Sequence, residues 1–278
     1  MPSTSEPDVS ALTALLTGRR FVVLTGAGIS TDSGIPDYRG PDSPPRTPMT
    51  YDQFVSDEGF RRHYWARNHV GWRHMRTRRP NAGHQAVVRL EERGLVTGVI
   101  TQNVDLLHQA AGSQQVIDLH GHYNEVICLS CHLVLPRSQL DQMLTALNPE
   151  FTEAVADVEI APDADAVIAS TEGFRVQPCP RCGGILKPNI VYFGENVPKD
   201  RVAAAYRLVD ASEAVLVAGS SLAVLSGLRF VRHAHRNGLP VGIVNRGATR
   251  GDDVANVHLE AGTSAALTAL EAELPDLP

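Results

Sequence analysis

Phe21-Val22-Val23-Leu24-Thr25-Gly26-Ala27-Gly28 is the stretch that decides the fold. Its first four residues form an apolar run of strand length, and a glycine turn follows at once. A strand running into such a turn opens a nucleotide-binding βα unit. Gly26 and Gly28 would let the backbone approach a pyrophosphate at a helix N-terminus. The loop continues as Asp32-Ser33-Gly34-Ile35-Pro36-Asp37-Tyr38-Arg39-Gly40, where Arg39 would supply a charge-assisted phosphate contact. Thr31 stands where the common dinucleotide fingerprint has its third glycine. No acid stands about 20 residues further on at the end of a second strand, where an ordinary Rossmann site holds the ribose, so this is not a plain dehydrogenase site.

Working outward, apolar runs recur at 97–101, 115–119, 213–218, 240–244 and 255–259. Helical patterns cover 8–17, 82–93, 201–210, 225–237 and 264–273, and glycines follow three of them. Fully apolar strands alternating with helices imply a parallel sheet covered on both faces. The expected fold is therefore α/β, a Rossmann-like doubly wound parallel sheet. Two segments interrupt it. Residues 40–83 begin with prolines and turn helical, and residues 125–189 contain every cysteine. The expected division is 1–39, 84–124 and 190–278 for the nucleotide-binding domain. The helical insertion 40–83 and the module 125–189 form a smaller domain. Within that module, 138–174 has no Lys or Arg and many acids, and reads as a solvated, mobile excursion.

The four cysteines form two tight pairs, Cys128-x-x-Cys131 and Cys179-x-x-Cys182. Four thiolates at this spacing make a closed tetrahedral Zn²⁺ site with no open position, hence a structural metal. Zinc in a reducing cytosol fits these pairs better than a disulfide framework. The polar, acidic N-terminus MPSTSEPDVS does not read as a targeting peptide. No apolar run is long enough for a membrane span. A cytoplasmic protein is expected. The formal net charge of −6 argues against a dedicated nucleic-acid binder. Only Lys187 and Lys199 are lysines, which leaves few sites of its own for acylation.

Three further polar clusters follow predicted strands: Thr101-Gln102-Asn103-Val104-Asp105, Gly219-Ser220-Ser221 and Asn245-Arg246-Gly247. Ligands bind outside the carboxyl ends of strands in open α/β sheets, so these clusters and the glycine turn point at one crevice. Turn chemistry accounts for any single cluster; it accounts poorly for four together.

GAGISTDSGIPDYRG, TQNVDLLHQAAG, LHGH, the two Cys pairs, YFGE, GSSL and VNRG occur in the order seen in sirtuins, the NAD-dependent protein deacylases. The chain resembles that family over roughly residues 10–270. Tyr38 stands where most members have Phe. Tyr64-Trp65-Ala66-Arg67-Asn68 looks like the class II branch, closest to the mitochondrial type associated with ADP-ribosyl transfer and removal of lipoyl or other bulky acyl groups. The composition points to a prokaryotic relative.

The resemblance implies a reaction between NAD and acyl-lysine proteins or peptides. The acyl oxygen attacks C1′ of the nicotinamide ribose, nicotinamide leaves and an alkylimidate forms. A histidine then helps a ribose hydroxyl attack the imidate carbon, and water releases lysine and O-acyl-ADP-ribose. His120 matches that base; His122 is the rival by chemistry alone. Asn103 and Asp105 match residues around the nicotinamide and its ribose, and Gln102 lies toward the ribose hydroxyls. Ala27, Asp37 and Arg39 fall within the phosphate-side motif, and Tyr38 should gate the leaving nicotinamide. Ser220, with Gly219 and Ser221, should meet phosphate or ribose oxygens. Asn245, Arg246 and Gly247 match the adenosine side, and Thr263 the adenine end. Val191-Tyr192-Phe193-Gly194-Glu195 resembles the strand that pairs with substrate backbone.

Residues 60–79 hold seven arginines and three histidines with no acid, most simply a solvated helix face. Within them Tyr64 and Arg67 have the Y-x-x-R shape that receives acidic acyl groups, although the spacing to Pro80 is longer than that type has. Protein mono-ADP-ribosyl transfer on the same scaffold and a non-catalytic NAD or acyl-lysine sensor are the competing readings. Asn103, Asp105 and His120 together argue against the sensor. Zinc should staple the small domain into one wall of the substrate cleft.

Overall fold

A computed structural model describes residues 7–40, 47–151, 166 and 171–277. By packing, the chain divides into a unit of Met1–Pro44, Arg79–Leu119 and Val197–Pro278, and a unit of Pro45–Arg78 and His120–Asn196.

The first unit is built on six strands. They are β1 (Phe21–Thr25), β2 (Val96–Thr101), β3 (Val116–Asp118), β7 (Ala214–Ala218), β8 (Val241–Asn245) and β9 (Val257–Glu260). All pair in parallel, in the order β3-β2-β1-β7-β8-β9. This is the doubly wound order, and it reverses between β1 and β7. The loops leaving those two strands therefore flank the crevice where such sheets take ligands.

Strand periodicity explains the two cores. Phe21 and Val23 of β1 face one side, with Val99, Leu216 and Val244. Leucines of α1 (Ser10–Leu16), α4 (Ala82–Glu92) and α9 (Thr263–Glu273) cover that side, among them Leu12, Leu90 and Leu267. Val22 and Leu24 face the other way, where α7 (Lys199–Asp210) and α8 (Leu225–Arg236) bring Leu208, Leu228 and Val231. Asn81 caps α4, its side chain accepting from the Gly83 and His84 amides. A short helix, α5 (Leu107–Ala111), follows β2.

The second unit holds α2 (Tyr51–Ser56), α3 (Glu58–Met75) and α6 (Arg137–Leu147). Its antiparallel sheet runs in the order β5 (Val134–Pro136), β4 (Gly121–Cys128), β6 (Leu186–Ile190). Phe54, Tyr64, Trp65 and Tyr192 form an aromatic core. Arg137 is fully buried between Trp65 and Trp72, its guanidinium carbon 5.5 and 4.7 Å from their ring centroids.

Two differences from expectation appear here. The packing boundary falls before His120, whereas the sequence grouped residues up to 124 with the nucleotide-binding domain. Pairing of β4 with β6, from Gly121 opposite Ile190 to Cys128 opposite Leu186, draws both flanks into the second unit. The acidic excursion is also not wholly solvated. Its beginning is α6, which buries Leu140 and Leu144, and Phe151 packs on Phe174 near its end. Residues 152–165 and 167–170 lie outside the described residues.

Candidate active site

The glycine turn and the loop after β7 touch backbone to backbone. The Gly28 amide donates to the Gly219 carbonyl at 2.9 Å. A Cβ on Gly26 would fall 2.8 Å from that oxygen, and one on Gly28 2.9 Å from Gly219 Cα. Gly219 itself has φ +67°, and a side chain there would strike Ile29 N at 2.3 Å. The expected α-helix after Gly28 is absent. Ala27–Ile29 and Thr31–Ser33 are two consecutive 3₁₀ turns. Crowding by Gly219 explains why the chain turns tightly here, and any phosphate donors are turn amides.

The loop after β2 packs into the same place. Asn103, largely buried, donates Nδ2 to the Gly26 carbonyl and to Ser30 Oγ, both at 3.1 Å. Ser30 Oγ donates to Asp105 Oδ2 at 2.7 Å, and the Leu107 amide donates to Oδ1 at 2.9 Å. Asp105 keeps some surface exposure but is closely surrounded. Burial pushes its carboxyl above the usual range despite bonds from Leu107, Ser30 and Asn103. Gln102 Nε2 donates to Ser220 Oγ at 2.7 Å, which joins the loops after β2 and β7. Leu106 (φ +62°) and Leu222 (φ +54°) are left-handed non-glycine residues beside these two loops, backbone strain of the kind that gathers at functional sites.

Thr263 Oγ1 donates to the Gly28 carbonyl at 3.0 Å, so α9 starts against the glycine turn. Asn245 Nδ2 donates to the Arg246 and Gly247 carbonyls, both at 2.9 Å, closing its own turn. Arg246 lies against Gly262, whose Cβ would fall 2.9 Å from its Nη2. The Ser221 carbonyl accepts from the Arg250 amide. Asp37 Oδ1 accepts from the Gly40 amide at 2.6 Å, Tyr38 is half-buried and Arg39 is exposed. The fold thus joins Gly26, Gly28, Gln102, Asn103, Asp105, Gly219, Ser220 and Thr263 by direct contacts.

In the second unit the His120 carbonyl accepts from the Val191 amide at 2.8 Å. His122 Nε2 lies 3.9 Å from Glu125 Oε2. The segment Val191–Glu195 is a turn, not the expected strand. The Glu195 amide donates to the Tyr192 carbonyl, and the Tyr192 amide donates to Glu195 Oε2. A strand-like contact survives as a parallel bridge from Phe193 to Thr50. Lys187 explains the turn. Its buried Nζ pairs with Glu195 at 3.1 Å and donates to the Pro188 and Ile190 carbonyls. Neither Lys187 nor Ser30 had a predicted role; the rarity of lysine was the one available hint. Tyr64 is 2% exposed, and its hydroxyl accepts from Asn68. Arg67 Nε donates to the Ala166 carbonyl at 2.6 Å.

The cysteines fit zinc. Their four Sγ atoms lie within 4.8 Å of one another, with Cys128–Cys182 at 3.5 Å and Cys131–Cys179 at 3.7 Å. A tetrahedral site with Zn–S near 2.3 Å needs sulfurs about 3.8 Å apart. Each pair sits in a turn of the same kind. The His132 amide donates to the Cys128 carbonyl and the Gly183 amide to the Cys179 carbonyl, and both donors have left-handed backbone. Burial opposes ionisation of Cys128, but bonds from the Cys131 and Ser130 amides and the Cys182 and Cys131 thiols together bring the thiol down to about 6. No helix among the described residues is long and apolar enough to cross a membrane.

Residues 26–226 match the profile of the Sir2 family. A Mycobacterium avium protein named NAD-dependent protein deacetylase 1 is 63% identical over 270 residues, 96% of each chain. A Streptomyces coelicolor protein of the same name is 50% identical, over 94% of this chain and 88% of that one. Two solved structures cover 96% of this chain and 98% of their own. One, described as the structural basis for sirtuin substrate affinity, has a TM-score of 0.76 at 31% identity. The other, Sir2 with a p53 peptide and NAD+, has 0.71 at 32%.

Proposed function

The chain belongs to the Sir2 family, and from that premise we propose how its residues serve NAD-dependent protein deacylation. The observation that carries the reading is the junction at Ser30. One hydroxyl meets both the Asn103 amide and the Asp105 carboxylate beside the glycine turn. An amide and an acid held at one point suit the carboxamide and ribose of the nicotinamide half of NAD.

NAD, as co-substrate, supplies the electrophilic ribose carbon from which nicotinamide leaves. The amides of the turn through Gly26, Ala27 and Gly28, with Ser220, Ser221 and Arg39, bind its phosphates and ribose oxygens. Asn245, Arg246, Gly247 and Thr263 take the adenosine half. Tyr38, with Asp37 beside it, shields the reacting carbon from water. His120 is the base that takes a ribose-hydroxyl proton. Val191, Phe193, Gly194 and Glu195 receive the acyl-lysine peptide. Zinc on Cys128, Cys131, Cys179 and Cys182 holds the second unit together and enters no chemical step. The first packing unit thus serves NAD, and the second carries the base, the peptide segment and the metal.

The finer readings are a class II enzyme of the cytoplasm that takes bulky acyl groups, and mono-ADP-ribosyl transfer as a second activity. The packing of Tyr64 on Tyr192 and the Arg67–Ala166 bond favour neutral acyl chains over acidic ones. One peptide bearing acetyl, succinyl, glutaryl, lipoyl or long-chain acyl groups, incubated with NAD and read by mass spectrometry, tests these points. Nicotinamide and O-acyl-ADP-ribose are expected, with His120→Ala nearly inactive. Wild-type turnover by that variant refutes the base assignment. Label from NAD on the protein acceptor identifies ADP-ribosyl transfer, and NAD binding without any turnover identifies a sensor.

A further inference from the structure

Two buried histidines lie among the loops of the first unit and have no part in the roles above. His84, on α4, and His108, on α5, are closed off from solvent, with ring centroids 4.9 Å apart. Burial pushes both imidazoles down, His84 to about 4, so both are neutral near pH 7. His84 Nε2 and His108 Nδ1 have no hydrogen-bond partner among the described residues. Two apolar side chains would fill the same space without that penalty. The other two nitrogens therefore need a reason to be there.

His108 Nε2 lies 3.0 Å from Thr25 Oγ1. Thr25 Oγ1 donates its proton to Thr101 Oγ1 at 2.9 Å, so it accepts from the ring and neutral His108 carries its proton on Nε2. Thr101 Oγ1 also accepts the backbone N–H of Asn103 at 3.1 Å. On the other ring, His84 Nδ1 lies 3.0 Å from Asn81 Oδ1. Asn81 Nδ2 then donates to the Ile29 carbonyl at 2.7 Å and to Ser33 Oγ at 3.1 Å. One histidine reaches the loop after β2, and its neighbour reaches the turns after β1.

We propose that His108, backed by His84, is a positioning residue that fixes Asn103 through the Thr25–Thr101 hydroxyl pair. Its effect on turnover rests on the reading of Asn103 as a contact to the nicotinamide ribose. The Nε2 proton orients Thr25, Thr25 holds Thr101, and Thr101 anchors the Asn103 amide. Asn103 Nδ2 is thereby kept on Gly26 and Ser30. The pair sets the register of the two loops that meet at Ser30.

The full-length protein tests this with His108→Leu and Thr25→Val, which keep volume but remove the ring donor and the hydroxyl. His108→Gln returns an N–H near the Nε2 position. Hydrogen exchange at Asn103, the thermal midpoint, and kcat and KM for nicotinamide release from NAD with an acetyl-lysine peptide are measured together. Faster exchange at Asn103 is expected in the Leu and Val variants. Their kcat should fall by about tenfold, since small misplacements are costly in rate, with the peptide KM unchanged. The double variant should be no worse than His108→Leu alone, as for residues in one chain of contacts. His108→Gln should recover most of the loss. Unchanged exchange at Asn103 in a folded variant, or losses that multiply in the double variant, overturns the proposal. If His108→Leu does not fold, Thr25→Val carries the same comparison. A wild type that releases no nicotinamide, while Asn103 exchange still responds as expected, sinks the deacylase reading and leaves the positioning role standing.

Discussion

Ser30 Oγ donates a 2.7 Å hydrogen bond to Asp105 Oδ2 and so fastens the loop after β2 to the turns after β1. The bond only partly offsets burial, because the Asp105 carboxyl still lies above its usual range. Ionised Asp105 is thus a strain on the fold at neutral pH.

Asp105→Asn should therefore be more thermostable than wild type near pH 7 while losing NAD cleavage. A raised carboxyl favours the folded state most below its unfolded value of about 4, and that contribution is lost as pH rises through the folded value. The difference in midpoint between variant and wild type should accordingly vanish near pH 3 and widen upward. Scanning calorimetry across that range checks it; a variant less stable at pH 7 contradicts the sign.

Gly219→Ala puts a methyl 2.3 Å from Ile29 N and 2.5 Å from the Gly28 carbonyl carbon, both backbone atoms that cannot swing aside. The left-handed φ adds about 1–2 kcal/mol. The expected result is a destabilisation of about 2 kcal/mol or more by urea titration. Titration calorimetry should show NAD affinity falling with it, because the turn is displaced.

Zinc removal should unfold the small antiparallel sheet, since β4 ends at Cys128 opposite Leu186 of β6. One zinc per chain is expected by elemental analysis. Chelation should abolish deacylation, and added zinc should restore it. Acid should release the metal as thiolates are protonated. Full activity in a folded, metal-free sample contradicts this reading.

Arg137→Ala should be among the most destabilising single changes in the second unit. Arg137 is fully buried, stacks between two tryptophans, donates Nη2 to Asn68 and lies 4.0 Å from Asp141. Breaking such a group costs about 3–5 kcal/mol. Arg137→Met, which keeps the stem between the rings, should lose clearly less. Denaturant midpoints of the two variants give the comparison.

The parallel sheet was legible because its central strands β1, β7 and β8 are buried on both faces and read as largely apolar runs. The zinc site was legible because two C-x-x-C pairs in a chain with no further cysteine rarely serve anything but a metal. The 3₁₀ turns after Gly28 were not, since Gly219, far away in sequence, imposes them. The aromatic run at Tyr192 and Phe193 looks like a strand, but Lys187 and Glu195 lock it into a turn. Helix α6 has apolar residues at helical spacing, Leu140, Met143, Leu144 and Leu147, but the acidic stretch that follows masked it. The contact between His84 and His108 was not legible, because the two lie far apart along the chain. Only the fold brings them together.

The enclosure of Lys187 reaches beyond the turn it stabilises. Its Nζ is held by two carbonyls and a carboxylate, and its side chain is 4% exposed. Lys199 is the only other lysine, and it stands exposed at the start of α7. Amine-directed coupling at lysine therefore meets one address on the folded molecule. A dye, biotin or surface linker attached to a lysine is therefore held on the face where α7 begins.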